Sequence, residues 1–229
     1  MSQVPVRLAV GITGHRGGNP ALADGSHIAA ALAGIFAEIE TALAEESAAT
    51  PALQVQPTRL HTLLAHGVDQ MAASASEGLG WEIVAPLPFG RALNIAINAQ
   101  PHAHADVLAL LAGGEASDPA VQARAHGIRH WSARARLFEL ADRDAEIAAL
   151  FEAMHLSPGA VVRARHSHAA AAAPAALAGR LLVEQSDLLV GVWDNRNRDG
   201  VGGTGHTIVR ALELGTPVLL LDPARPEHW

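Results

Sequence analysis

Five short apolar runs constrain this chain more than any other feature: Val6–Ile12, Leu60–Ala65, Glu82–Leu87, Leu188–Trp193 and Val218–Leu221. Each is bounded by Gly, Pro or Asp, and most lack the polar alternation of a half-exposed strand. Runs of that length and character read as parallel strands covered on both faces. Between the first two lies a helical stripe, with Ile28, Leu32, Ile35, Ile39 and Leu43 recurring at three or four residues, and Asp24 and Ser26 stand as its caps. Val68–Leu79 reads as a second helix ended by Gly80. Thr204–Leu214 reads as a third, ended by Gly215 with Pro217 just beyond. The alternation predicts an α/β fold in one domain over residues 1–229. Its sheet is Rossmann-like, doubly wound and mostly parallel, of about five strands joined by right-handed crossovers.

Residues 91–180 are expected to form a long helical insertion between the third and fourth strands. Val121, Ala125, Ile128, Trp131, Ala135 and Phe138 keep helical spacing, and Ile147, Leu150, Phe151 and Met154 continue it. The pattern predicts one long or kinked helix whose stripe packs on a core or a partner. Ala164–Gly179, with five alanines before Pro174, reads as a helix or a mobile loop.

Composition narrows the function classes. Hydrophobic residues make up 49% of 229, much of it alanine, and aromatics only 3%. Small side chains suit close helix-on-sheet packing rather than an aromatic-rich sandwich. Formal charge is -7, which opposes general nucleic-acid binding, where Lys and Arg must neutralise phosphates. With no cysteine, disulfides, thiolate metal sites and cysteine nucleophiles drop out. No uninterrupted apolar run reaches the roughly 18–20 residues that span a bilayer. The first residues lack a basic stretch followed by a cleavable apolar one, so the cytoplasm is the expected location.

In doubly wound sheets ligands sit beyond the carboxyl ends of the strands. The segment from Trp193 and Asp194 through Arg196 and Arg198 to Gly202, Gly203, Thr204, Gly205 and His206 follows a strand and opens a helix. Glycines let backbone N–H groups approach an anion, and a helix start adds unpaired donors with partial positive charge. Thr204 can donate a hydroxyl, and Arg196 or Arg198 can close over a phosphate as a fork. The turn after the first strand brings Thr13, Gly14, His15 and Arg16. The turn after the second brings His66, Gly67 and Asp69, the last placed to accept from ribose hydroxyls or simply to complement the helix dipole. Phe89, in Pro86–Gly90, is a candidate to stack on a base. The histidine pairs His102/His104 and His166/His168 are spaced by two, which splays side chains apart on a helix and argues against a metal site.

Taken jointly and in order, GITGHR, LLAHGVDQMAA, WEIVAPLPFG, SDLLVGVWD and GGTGHTIVRALELGTPVLLLD resemble the SLOG superfamily, which joins DNA-uptake processing proteins to LOG-type enzymes. The resemblance covers residues 6–90 and 186–222, and is nearest to bacterial members of unassigned role with a GHR and a GGT turn. It implies a Rossmann-like fold with a nucleotide or nucleotide-derivative pocket. Such domains act as sensors in bacterial stress and antiphage signalling, or as hydrolases that release a base from a nucleoside monophosphate. A sensor of this kind implies a homo-oligomer and an effector domain or partner protein. The hydrolase branch resembles P-G-G-x-G-T-x-x-E. Here Val201 replaces the Pro, His206 stands at the Thr, and the Glu positions fall on Ile208 and Val209. That departure implies a binding rather than a hydrolytic role, with His206, Asp194 and Asp69 the acids or bases left for an enzyme.

Overall fold

Strands and helices alternate along the computed structural model, which describes residues 3–22, 25–156, 160–196, 200–227 and 229. In chain order the elements begin with strand β1 (Val4–Val6), strand β2 (Ala9–Gly14), helix α1 (Gly25–Ala49), strand β3 (Leu53–Val55), strand β4 (Arg59–His61) and helix α2 (Val68–Glu77). Strand β5 (Glu82–Leu87) follows, then helices α3 (Arg91–Ala99), α4 (His104–Leu111) and α5 (Pro119–Ser132). The remainder is strand β6 (Arg136–Glu139), helices α6 (Asp144–Ala153) and α7 (Ala160–Glu184), strand β7 (Leu188–Val192), helix α8 (Thr204–Leu214) and strand β8 (Val218–Leu221).

The main sheet has six parallel strands in the order β6-β5-β4-β2-β7-β8, and β1 pairs with β3 in a separate parallel ribbon. The protein is thus a mixed α/β fold with parallel sheets, consistent with a Rossmann-like arrangement. Five expected strands become eight among the described residues. β3 and β6 carry only two apolar residues each, and the first expected strand divides into β1 and β2.

Alternation along β7 shows how the sheet is covered. Val190 and Val192 join a buried cluster with Ile28, Leu32, Ile35 and Phe36 of α1 and Val68 and Ala72 of α2. Leu189, one residue out of phase, joins Leu182 and Val183 of α7 with Ile208 and Ala211 of α8. Period-two side chains therefore point to helices on opposite faces. Each fully buried Leu or Ile in these clusters contributes roughly 1.5–3 kcal/mol. Helix α1 is also long and apolar enough, by length and composition alone, to cross a membrane; here Ile28, Leu32, Ile35 and Phe36 are buried against the sheet.

The middle of the chain is not one long helix. α5 ends at Ser132, β6 pairs with Val84–Leu87 of β5, and α6 starts afresh at Asp144. Pairing with β5, which would otherwise be an open sheet edge, outweighs the helical propensity of Arg136–Glu139. Phe138 lies on that strand with 59% of its surface exposed, so its spacing from Trp131 was fortuitous. Ala164–Gly179 is helical throughout, within α7, with Pro174 buried inside the helix. The expected cap Asp24 lies outside the described residues.

Candidate functional site

Strand β2 has β4 on one side and β7 on the other. From β2 the chain builds outward through β4, β5 and β6, then crosses back to add β7 and β8 on the opposite side. Connections leaving β2 and β7 therefore diverge, which opens a crevice beyond their carboxyl ends. A cavity of about 530 Å³ lies there, within the range of small-molecule sites. Thr13, Gly14, His15 and Arg16 form one wall and Gly200 to Thr204 another. Asp69 reaches it from the first turn of α2, and Phe89 from the segment after β5. α3 supplies Asn94 and Asn98, the end of α6 supplies Phe151 and Met154, and α7 supplies Ser167, His168 and small alanines. The helical middle of the chain thus closes the cavity.

Register places the first two contacts. Thr13 pairs with Gly191 and Gly14 with Val192, so the next residues, His15 and Trp193, leave the sheet side by side. His15 Nε2 lies 3.1 Å from Asp194 Oδ1. Asn19 Oδ1 accepts from the Ala21 N–H at 2.9 Å, which turns the Asn19 Nδ2 toward His15 Nδ1 at 3.0 Å. Nδ1 is then an acceptor, and Nε2 faces Asp194, whose backbone N–H lies 3.3 Å from it beside the Oδ1. Both ring nitrogens are occupied, so His15 braces the turn.

The first two turns are zipped together. Gly17 N–H donates to His66 O at 2.8 Å, and Arg16 and Gly67 form an antiparallel bridge. Gly67 has φ +118°, and a Cβ there would lie 2.6 Å from His15 O; only glycine permits this approach. Gly14 similarly makes room for Val68, 2.6 Å from where its Cβ would stand.

The start of α8 is uncapped: Gly203 at the N-cap makes no side-chain cap bond. Thr207 N–H is the first to close a helical bond, to Gly203 O at 3.0 Å. The amides of Thr204, Gly205 and His206 fall in the part of a helix that has no intrahelical acceptors, and Thr204 lines the cavity. Gly202, at φ +77°, has a further reason to be glycine. A Cβ there would lie 2.8 Å from Ala175 Cβ and 2.9 Å from Ala172 O, so the turn is seated on α7.

Arg16 and Asp69 are two ionisable groups of opposite sign on the cavity wall. Burial pushes the Asp69 carboxyl up to about 6, against the Ala65 N–H at 3.1 Å, the Thr62 side chain and the charge of Arg16. Protein surrounds Arg16 densely enough that desolvation lowers its pKa from the ordinary arginine value, with Asp69 opposing. Arg16 nonetheless keeps an exposed surface, as a group in an open cleft does. Its guanidinium makes no hydrogen bond or ion pair with any described residue.

Three non-glycine residues hold positive φ, namely Leu64 at 53°, Gln100 at 53° and Asn195 at 60°; Gln100 lines the cavity, and Leu64 lies between Leu63 and Ala65, which also line it. Backbone strain of this kind persists where surrounding structure over-determines it, as at binding sites. Gln100 is held by its Nε2 donating to Gly17 O at 3.2 Å and by Arg124, which donates to Ala99 O at 2.7 Å.

Of the residues singled out in sequence, Thr13, Gly14, His15, Arg16, Asp69, Gly202, Gly203 and Thr204 line the cavity, as does Phe89. Asp194 stands one contact behind, through His15. His66, Gly67, Gly205 and His206 are adjacent in sequence but off the wall, His66 lying beneath Gly17. Arg196 is off the cavity wall: its N–H donates to Asp194 Oδ1 at 3.1 Å, its Nε lies 3.9 Å from Asp194 Oδ2, and its side chain is 83% exposed. Arg198 lies outside the described residues. Asn94, Asn98 and Ser167 were missed. The one sequence signal for the two asparagines is polar residues at i, i+4 among the apolar residues of α3. Among the described residues no group of three His, Asp or Glu is arranged to hold a metal ion. Comparison of the chain with family models, curated proteins and solved structures gave no match.

Proposed function

We propose that this chain binds a nucleotide or nucleotide-derived ligand in the cavity and acts as a sensor or signalling domain, in the setting of bacterial stress or antiphage defence. The fold reading that goes with it is a doubly wound Rossmann-like domain whose segment 91–180 walls the pocket. One observation carries the proposal. The uncapped start of α8 and an Arg16 guanidinium unpaired among the described residues border the same cavity at the strand-order reversal. Amides without acceptors and an arginine fork attract the same thing, a phosphate. The apolar wall of Phe89, Phe151 and Met154 suits the uncharged part of such a ligand. Ligand contact with α6 and α7 offers a route to a partner protein or a second copy of the chain, in the cytoplasm.

The test is a thermal-shift panel of cyclic dinucleotides, NAD, ADP-ribose forms and nucleoside monophosphates. A ligand at about 100 times its dissociation constant adds roughly 2.7 kcal/mol, or roughly 5–11 °C for a chain of this size. Gly203→Glu sets a carboxylate at the helix start and abolishes that shift. An equal shift in the variant overturns the site.

Asp69 favours a second reading, N-glycosidic hydrolysis of a nucleoside monophosphate or related compound. A cavity carboxyl titrating at about 6 has the proton affinity of a general acid or base at neutral pH. Release of free base that Asp69→Asn abolishes, with folding intact, would establish that reading over a pure sensor.

A further inference from the structure

Asn94 and Asn98 are 1% and 2% exposed, and both stand on the cavity wall. They are one helical turn apart on α3, and their amides orient each other. Asn98 Nδ2 donates to Asn94 O at 2.9 Å and to Asn94 Oδ1 at 3.2 Å. Turning the Asn98 amide over would set its oxygen against two oxygens, and turning Asn94 over would set one NH₂ against another. Both orientations are therefore fixed. What remains is a pair of unsatisfied atoms, the Asn94 Nδ2 donor and the Asn98 Oδ1 acceptor, neither reached by water. Ser167, 3% exposed, lines the same cavity from α7.

Buried amide groups left without partners destabilise a fold, and an apolar side chain of the same shape would serve packing on α3 at least as well. Two such groups, mutually locked, on the wall of a cavity whose other side offers cationic and N–H donors, have the character of a recognition element. We infer that Asn94 and Asn98 read the edge of a planar ring that presents a hydrogen-bond donor beside an acceptor, the feature common to nucleobases. Asn94 Nδ2 donates to the ring's acceptor and Asn98 Oδ1 accepts from its N–H. These bonds replace the one from Asn98 Nδ2 to Asn94 Oδ1 as the two amides rotate to the ring, and Ser167 contributes from α7. The inference rests on the proposed nucleotide reading and extends it: the phosphate end supplies affinity and the α3 end supplies base selectivity. A site built on buried polar groups rejects a ligand that leaves them unpaired.

The experiment is a titration of the wild type and Asn94→Leu with the four ribonucleoside 5′-monophosphates and with ribose 5-phosphate, which has no base. The wild type is expected to bind at least one nucleotide about tenfold or more tightly than ribose 5-phosphate. Asn94→Leu is expected to melt at the same temperature or higher without ligand. It brings that nucleotide to within about threefold of ribose 5-phosphate. Asn94→Ala, which only removes atoms, gives the same loss of preference if leucine fits poorly. If either folded variant keeps the wild-type base preference, the inference is overturned while the nucleotide reading stands. If no nucleotide binds the wild type but ribose 5-phosphate does, base recognition is refuted and the phosphate site survives. If neither kind of probe binds, both fall.

Discussion

His15 Nε2, 3.1 Å from Asp194 Oδ1, ties the carboxyl end of β2 to that of β7 across the point where strand order reverses. Both side chains are largely buried, at 11% and 18% exposure, and Asn19 holds the far side of the ring. His15→Ala leaves Asp194 and Asn19 without their partner and is expected to cost roughly 1–2 kcal/mol. At this chain length the midpoint falls by roughly 2–8 °C in calorimetry. An unchanged midpoint would show that the tie bears no strain.

Two glycines should respond in opposite ways to the same added methyl group. Gly202 has φ +77° and would press a Cβ to 2.8 Å from Ala175 Cβ, whereas Gly34 in α1 has nothing within 4 Å. Gly202→Ala is expected to destabilise by roughly 1–3 kcal/mol, through strain and displacement of the turn from α7. Gly34→Ala is expected to stabilise by roughly 0.5–1 kcal/mol, through helix propensity alone. Urea unfolding of both variants checks the contrast; equal effects would mean that the seat on α7 is not tight.

Asp69 makes stability depend on pH in a defined sense. Its folded pKa is raised, from 3.8 to about 6, so the folded state holds the proton more tightly than the unfolded chain. Its penalty is absent below about pH 4, grows as pH rises through the folded value, and is complete by about pH 7. A shift of about two units corresponds to about 3 kcal/mol. Asp69→Asn should therefore gain on the wild type by about that amount between pH 4 and 7, measured by denaturant unfolding. A constant difference across that range contradicts the burial assigned to this carboxyl.

Much of the site could be read from residues because its elements are marked locally. Gly203 before Thr204, and Gly215 in the left-handed conformation after Leu214, bound α8 at the expected positions. β6 was hidden because Arg136–Glu139 has no strand composition of its own and exists only by pairing with β5. α7 gave conflicting signals, alanines for a helix and Pro174 against it, and packing over the cavity resolved them. Arg16, Arg196 and Arg198 look alike in sequence. The Asx turn at Asp194 keeps Arg196 on Asp194 and off the cavity wall, and the bridge to Gly67 holds the backbone of Arg16 beside the cavity. Asn94 and Asn98 were unreadable as a pair until the burial of α3 made their polarity anomalous.

The most direct test of an anion held at the start of α8 is a crystal soaked in tungstate, a heavy oxyanion that stands in for phosphate. An anomalous peak within hydrogen-bonding reach of the Thr204 amide and the Arg16 guanidinium is expected. It should be lost in crystals of Arg16→Gln or Gly203→Glu. No peak at saturating tungstate, or a peak that ignores both substitutions, would contradict the account.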